Sequence, residues 1–154
     1  MESGYKNTVN IVPSERQLEW QKTEFYGLIS YGMAVFNGKQ YGDGFTPPSV
    51  FCPEDMNTDS WCELAVNAGM KGLVLTCKHY DGFCLWPSKY TEHSIKNSPY
   101  KNGKGDLVRE FTDACREYGL GIGIYVSPWD RNAPYWGTKE YTYYYVNQLT
   151  EILT

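Results

Sequence analysis

An apolar run, Gly72-Leu-Val-Leu-Thr-Cys77, that gives way at once to Lys78-His-Tyr-Asp-Gly-Phe83 constrains this chain more than any other feature. The run is too short for a helix and rich in Val and Leu, so it reads as a strand buried on both faces of a parallel sheet. His79, Tyr80 and Asp81 then stand at its C-terminal end. In parallel α/β folds that end gathers ligands and catalytic groups, because the loops there are free of the packing that fixes the opposite face. The alternative reading of so short a motif is structural, with His79 and Asp81 only capping the strand and turning the chain.

The same alternation recurs on both sides. Phe25–Ser30 reads as a first strand, followed by a long loop with turn chemistry at Asn37-Gly38, Gly42-Asp-Gly44 and Pro47-Pro48. A helix is expected from near Asn57, with Ser60-x-x-Glu63 as a capping box, Trp61, Leu64, Ala65 and Ala68 as its core stripe and Gly69 as its stop. From Tyr80 to Gly105 no period is visible, and Phe83, Trp86 and Tyr90 make a structured loop over a pocket the expectation. Asp106 caps a second helix whose Leu107, Val108, Phe111, Ala114, Cys115 and Tyr118 share a face. Leu120–Ser127 is the third strand, ending in Ser127-Pro-Trp-Asp-Arg-Asn132. A third helix starts near Thr138, with Tyr141, Tyr144, Tyr145, Leu149, Ile152 and Leu153 as a packing stripe. Residues 1–17 are polar and aperiodic and read as an N-terminal arm, leaving 18–154 as the folded part.

The β-α-β-α-β-α order, with long loops after the strands and short ones before them, implies a parallel sheet with one busy face. A doubly wound sheet and a (β/α)8 barrel share that order. No Gly-x-Gly-x-x-Gly or P-loop follows any strand, which weighs against a nucleotide and toward the barrel.

Aromatic residues make up 16% of the chain. Amphipathic rings serve sugar faces as well as cores, and composition alone favours the core. A net charge of -4 without a basic patch argues against nucleic acid or an anionic membrane as the main partner. No stretch approaches the ~18 apolar residues of a membrane span. The start of the sequence has no apolar targeting core, so a cytoplasmic location is expected, or a secreted or periplasmic one where a targeting segment is missing. Cys52, Cys62, Cys77, Cys84 and Cys115 are odd in number with no Cys-x-x-Cys pair, which points to free thiols. With His79 and His93 as the only histidines, no metal is expected, and no cofactor is implied.

From Gln17 to Asn132 the sequence resembles the catalytic domain of glycoside hydrolase family 29, the α-L-fucosidases. The matching segments are Ala68-Gly-Met-Lys-Gly72, Lys78-His-Tyr-Asp-Gly-Phe83, Leu85-Trp-Pro-Ser-Lys-Tyr90, Asn102-Gly-Lys-Gly-Asp106 and Ser127-Pro-Trp-Asp-Arg-Asn132. The resemblance implies a partial (β/α)8 barrel of about three βα units and a retaining exo-glycosidase that removes terminal fucose from glycans. An aspartate nucleophile and a second carboxylate as acid/base carry such chemistry. The family nucleophile follows the fourth barrel strand, so both catalytic groups are expected beyond Thr154, and 18–154 reads as the N-terminal part of an incomplete barrel domain. Its open edge invites self-association.

By the same resemblance, His79, Tyr80, Ser30, Gln40, Tyr41, Tyr125, Trp86 and Trp129 are the candidate substrate-binding residues. Ser30 stands where the family usually has His, Gln40-Tyr41 where it has Glu-Trp, and Tyr80 where it has a second His. A buried sugar hydroxyl that loses its partner costs ~1–3 kcal/mol, so these departures leave three readings: a fucosidase or a relative with altered sugar preference, a carbohydrate-binding or catalytically degenerate homologue, and an unrelated α/β protein.

Overall fold

The computed structural model describes residues 12–154. Three strands, β1 (Tyr26–Ile29), β2 (Gly72–Lys78) and β3 (Gly121–Val126), form one parallel sheet in the order β1-β2-β3. Tyr26 is level with Gly72, and Gly72 with Gly121, so the strands start together. A register shift between Thr76 and Lys78 bends the top of the β2–β3 ladder. β2 is buried nearly throughout, as a central parallel strand should be. On the flanking strands Leu28 is 64% and Ile122 41% exposed.

The helices are α1 (Glu15–Thr23), α2 (Met33–Asn37), α3 (Thr58–Asn67), α4 (Leu107–Glu117) and α5 (Lys139–Leu153). α4 begins at Asp106, whose carboxylate accepts from Arg109 N, and buries Leu107, Val108, Phe111, Ala114 and Cys115. α5 begins where Thr138 caps it by accepting from Tyr141 N. Gly69 and Gly119 follow α3 and α4 at φ of 79° and 67°, the left-handed geometry that ends a helix.

Several expectations give way. The arm expected over 1–17 overlaps α1, which a capping box starts: Ser14 Oγ accepts from Gln17 N, and Gln17 Oε1 accepts from Ser14 N. Residues 1–11 lie outside the described residues. On α3 the cap is Asn57, accepting from Ser60 N, so Ser60 sits a turn inside the helix and does not open a box with Glu63. The buried face of α3 is Thr58, Cys62 and Ala65, while Leu64 is 69% exposed. Small side chains let α3 lie close against α4 and β2, and the larger Leu64 falls on the opposite side. Cys62 Sγ meets Cys115 Sγ of α4 at 3.8 Å, and all five cysteines are free.

The segment from Tyr80 to Gly105 is structured, but as core. Leu85 N donates to Cys77 O, Cys84 N to His93 O, and Ile95 N to Cys84 O, which folds the chain back along the end of β2. Phe83, Cys84, Leu85, Trp86 and Ile95 are buried with the helix cores.

Candidate active site

Five of the eight candidate positions are set by strand ends. Ser30 follows β1, His79 and Tyr80 follow β2, Tyr125 lies near the end of β3 and Trp129 just past it. Gln40 and Tyr41 come from the loop after α2. The parallel register brings these ends to one pole of the sheet.

There the rings converge. His79 lies 4.3 Å from Tyr80, 6.3 Å from Tyr41 and 6.4 Å from Tyr125, centroid to centroid. Tyr41 stacks on Tyr80 at 5.6 Å, and Tyr80 meets Trp129 at 5.1 Å. On its other side His79 borders a cleft of about 30 Å³ that Ser30, Gln40, Thr76 and Asp81 also line. Hydrogen bonding with Tyr125 raises the Tyr80 phenol above its ordinary value. Trp86 stands apart from this group: it is buried, and its Nε1 donates to Glu151 Oε2 at 2.8 Å. A wider cavity of about 260 Å³ beside it lies between α4 and the end of α5.

Carboxylates are near but occupied. Asp81 is buried, its Oδ1 accepting from Phe83 N at 3.0 Å, and burial raises its pKa against the opposing pull of that hydrogen bond and, less, of His79. Asp130 is fully buried with Lys78, at 3.2 Å. Lys78 Nζ also donates to Gln148 Oε1 at 2.8 Å and faces the rings of Tyr144 and Tyr145 at 5.3 Å each. Asp130 Oδ2 accepts from Tyr144 Oη, and Oδ1 accepts from the N–H groups of Asn132 and Ala133. No group of three His, Cys, Asp or Glu side chains among the described residues could hold a metal ion.

That buried pair anchors the pole. Arg131 and Asn132, next to Asp130, reach back to the carbonyls of Gly42 (2.7 Å) and Gly44 (2.8 Å) beside Tyr41, and Arg131 N donates to Tyr80 O. Gly82, at φ 79°, passes so near Asp130 that a Cβ there would overlap its carboxylate. The loops after β1, β2 and β3 are thus held as one surface. Asp130, Arg131 and Asn132, which the sequence places in the cluster after the third strand without a role in the pocket, and Gln148, which it does not single out, support the site. The signal for Gln148 was in view: it is the polar member of the buried row Tyr141, Tyr144, Gln148 on α5.

Comparison with known proteins gives the family of the chain. Residues 7–154 match the family model described as alpha-L-fucosidase. Alpha-L-fucosidase 1 of Arabidopsis thaliana is 43% identical over 144 residues, covering 93% of this chain and 28% of that protein. Plasma alpha-L-fucosidase of Homo sapiens is 30% identical over 70% of the chain and 22% of its own length. Among solved structures, a glycoside hydrolase 29 family member from an unknown rumen bacterium superimposes with TM-score 0.91 at 50% identity, over 93% of this chain and 26% of that one. A Ruminococcus gnavus GH29 fucosidase in complex with fucose gives TM-score 0.84 at 34% identity, over 93% of this chain and 32% of its own. The chain spans between a fifth and a third of the length of these relatives.

Proposed function

Because the chain belongs to the alpha-L-fucosidase family, we propose that it supplies three βα units of the barrel of a retaining α-L-fucosidase, and with them part of the pocket for a terminal fucose. The observation that carries this is the gathering of Tyr41, His79, Tyr80 and Tyr125 at the C-terminal pole of the sheet, beside the cleft that Ser30 and Gln40 line. His79 offers a ring nitrogen to a sugar hydroxyl, and the flanking rings offer faces to the apolar side of the pyranose.

Retaining hydrolysis needs two carboxyl groups ~5 Å apart across the scissile bond. At this pole Asp81 and Asp130 are both buried and engaged in structural bonds. The nucleophile and the acid/base are therefore assigned to polypeptide outside these 154 residues. Ser30 and Tyr80 favour a shifted sugar preference as the second reading, since each exchanges an imidazole of the family pattern for a hydroxyl of different reach. The half-open strands β1 and β3, with Leu28 and Ile122 exposed, support self-association of the isolated chain through its sheet edges.

The test is hydrolysis of p-nitrophenyl α-L-fucoside by the purified 154-residue chain. No turnover is expected. Turnover that copurifies with the chain and disappears on Asp81→Asn would place a catalytic carboxylate inside it and overturn the assignment.

A further inference from the structure

Two thiols meet on the far side of β2 from the pocket, where the crossover helices pack. Cys62 of α3 and Cys115 of α4 are fully buried, and their sulfurs lie 3.8 Å apart. The two backbones are also close by a separate measure. Thr58 Oγ1, one turn before Cys62, donates to Glu110 O of α4 at 3.3 Å, and the buried Ala65 and Ala114 keep both helices slim nearby.

The other cysteines are placed differently. Cys77 Sγ donates to Leu75 O, Cys84 Sγ donates to Gly82 O and accepts from Gln148 Nε2, and Cys52 is exposed. Cys62 and Cys115 face each other, the one sulfur–sulfur contact among the described residues. A free cysteine packs as a small hydrophobe. Two at sulfur contact on backbones already held together also meet what a covalent bridge demands of its frame, since small turns of both χ1 angles cover the remaining travel to the ~2 Å of a sulfur–sulfur bond.

We propose that Cys62 and Cys115 are a disulfide site that staples α3 to α4 in an oxidising medium, with a glutathione-type disulfide as the oxidant. One protein thiolate, its proton released to water, attacks a sulfur of the oxidant and expels a glutathione thiolate. The second protein thiolate attacks the protein sulfur of that mixed disulfide and expels the other glutathione. Two protein thiols are oxidised, and the oxidant is reduced to two glutathiones. Burial raises both thiols in the folded chain, Cys115 to about 12, so the exchange proceeds while the helices are open, during folding or local unfolding. The closed loop runs from Cys62 to Cys115 and contains β2 with His79 and Tyr80 at its end. Restricting that loop in the unfolded chain stabilises the folded one. The staple is independent of which sugar the pocket takes.

The test equilibrates the purified 154-residue chain, carrying Cys52→Ser to remove the exposed thiol, with glutathione disulfide and glutathione in urea below the unfolding midpoint, beside a dithiothreitol sample. In dithiothreitol all the remaining thiols should react with iodoacetamide once the chain is denatured. After the glutathione buffer Cys62 and Cys115 should not, and mass spectrometry should find the fragments that contain them joined. The oxidised chain is expected to melt roughly 4–16 °C higher than the reduced one. With Cys115→Ala added, no internal bond and no gain in melting temperature should appear. Cys62 and Cys115 that both stay reactive, a bond that takes Cys77 or Cys84 in place of either, or an oxidised chain that melts no higher than the reduced one overturns the proposal.

Discussion

The two histidines of this chain have opposite surroundings. His79 is half-buried among rings at the open pole, whereas His93 lies in the core with its ring edge-on to Phe83 at 5.3 Å and its Nε2 without a hydrogen-bond partner. Burial lowers the His93 pKa from 6.5, against the pull of Asp130 and Asp43. A group depressed in the folded state takes up protons more readily when unfolded, so its contribution is complete above 6.5 and is lost as pH falls through the folded value. Melting temperature should therefore fall as pH drops below 6.5, and His93→Phe, which keeps a ring against Phe83, should flatten that part of the curve. An unchanged slope in the variant contradicts it. Ser30 and Tyr80 meet His79 from two directions, one across the small cleft and the other through ring stacking. Ser30→His with Tyr80→His should raise affinity for methyl α-L-fucoside by more than the product of the two single effects, because groups that share a neighbour couple. A double-mutant cycle that closes additively would show that the two positions act separately.

At the scale of elements, the buried ion pair between the end of β2 and the loop after β3 orders the pole. Removing one charge strands the other in a fully buried site, a loss of ~3–5 kcal/mol. Asp130→Asn should cost about that much in urea unfolding, and adding Lys78→Met should restore part of it; a single-variant loss below ~1 kcal/mol would mean the pair is not the anchor. The strands and the two long helices after β2 and β3 could be read from the sequence, because Val and Leu runs, Asp106 and Thr138 each obey one local rule. α1 could have been read too, since Ser14-x-x-Gln17 is a capping box in a segment whose polarity suggested an arm. The face of α3 could not. Which side of Trp61-Cys62-Glu63-Leu64-Ala65 turns inward depends on how closely α4 approaches, and that distance is a tertiary quantity. Trp86 shows the same limit at the site: its neighbours in sequence lead to the pole, but its indole reaches Glu151, sixty-five residues on.

For the whole molecule, three parallel strands that start level form a segment of a barrel wall, and residues far apart in the chain meet at its upper rim. Gly42 and Gly44 are joined there to Arg131 and Asn132. The strand pattern of Gly72–Cys77 is enough to put Lys78-His-Tyr-Asp-Gly-Phe83 at the pole, but the tie between loops needs the fold. Whether this rim holds a fucose through His79, as proposed, is tested by titration of the 154-residue chain with methyl α-L-fucoside, read by NMR at individual side chains. Saturable shifts of the His79, Tyr80 and Tyr125 ring signals are expected with His93 unmoved, and a loss of ~1–3 kcal/mol of binding in His79→Ala with little change in melting temperature. Shifts that do not saturate, or a His79→Ala chain that binds the fucoside as well as the parent, would contradict it.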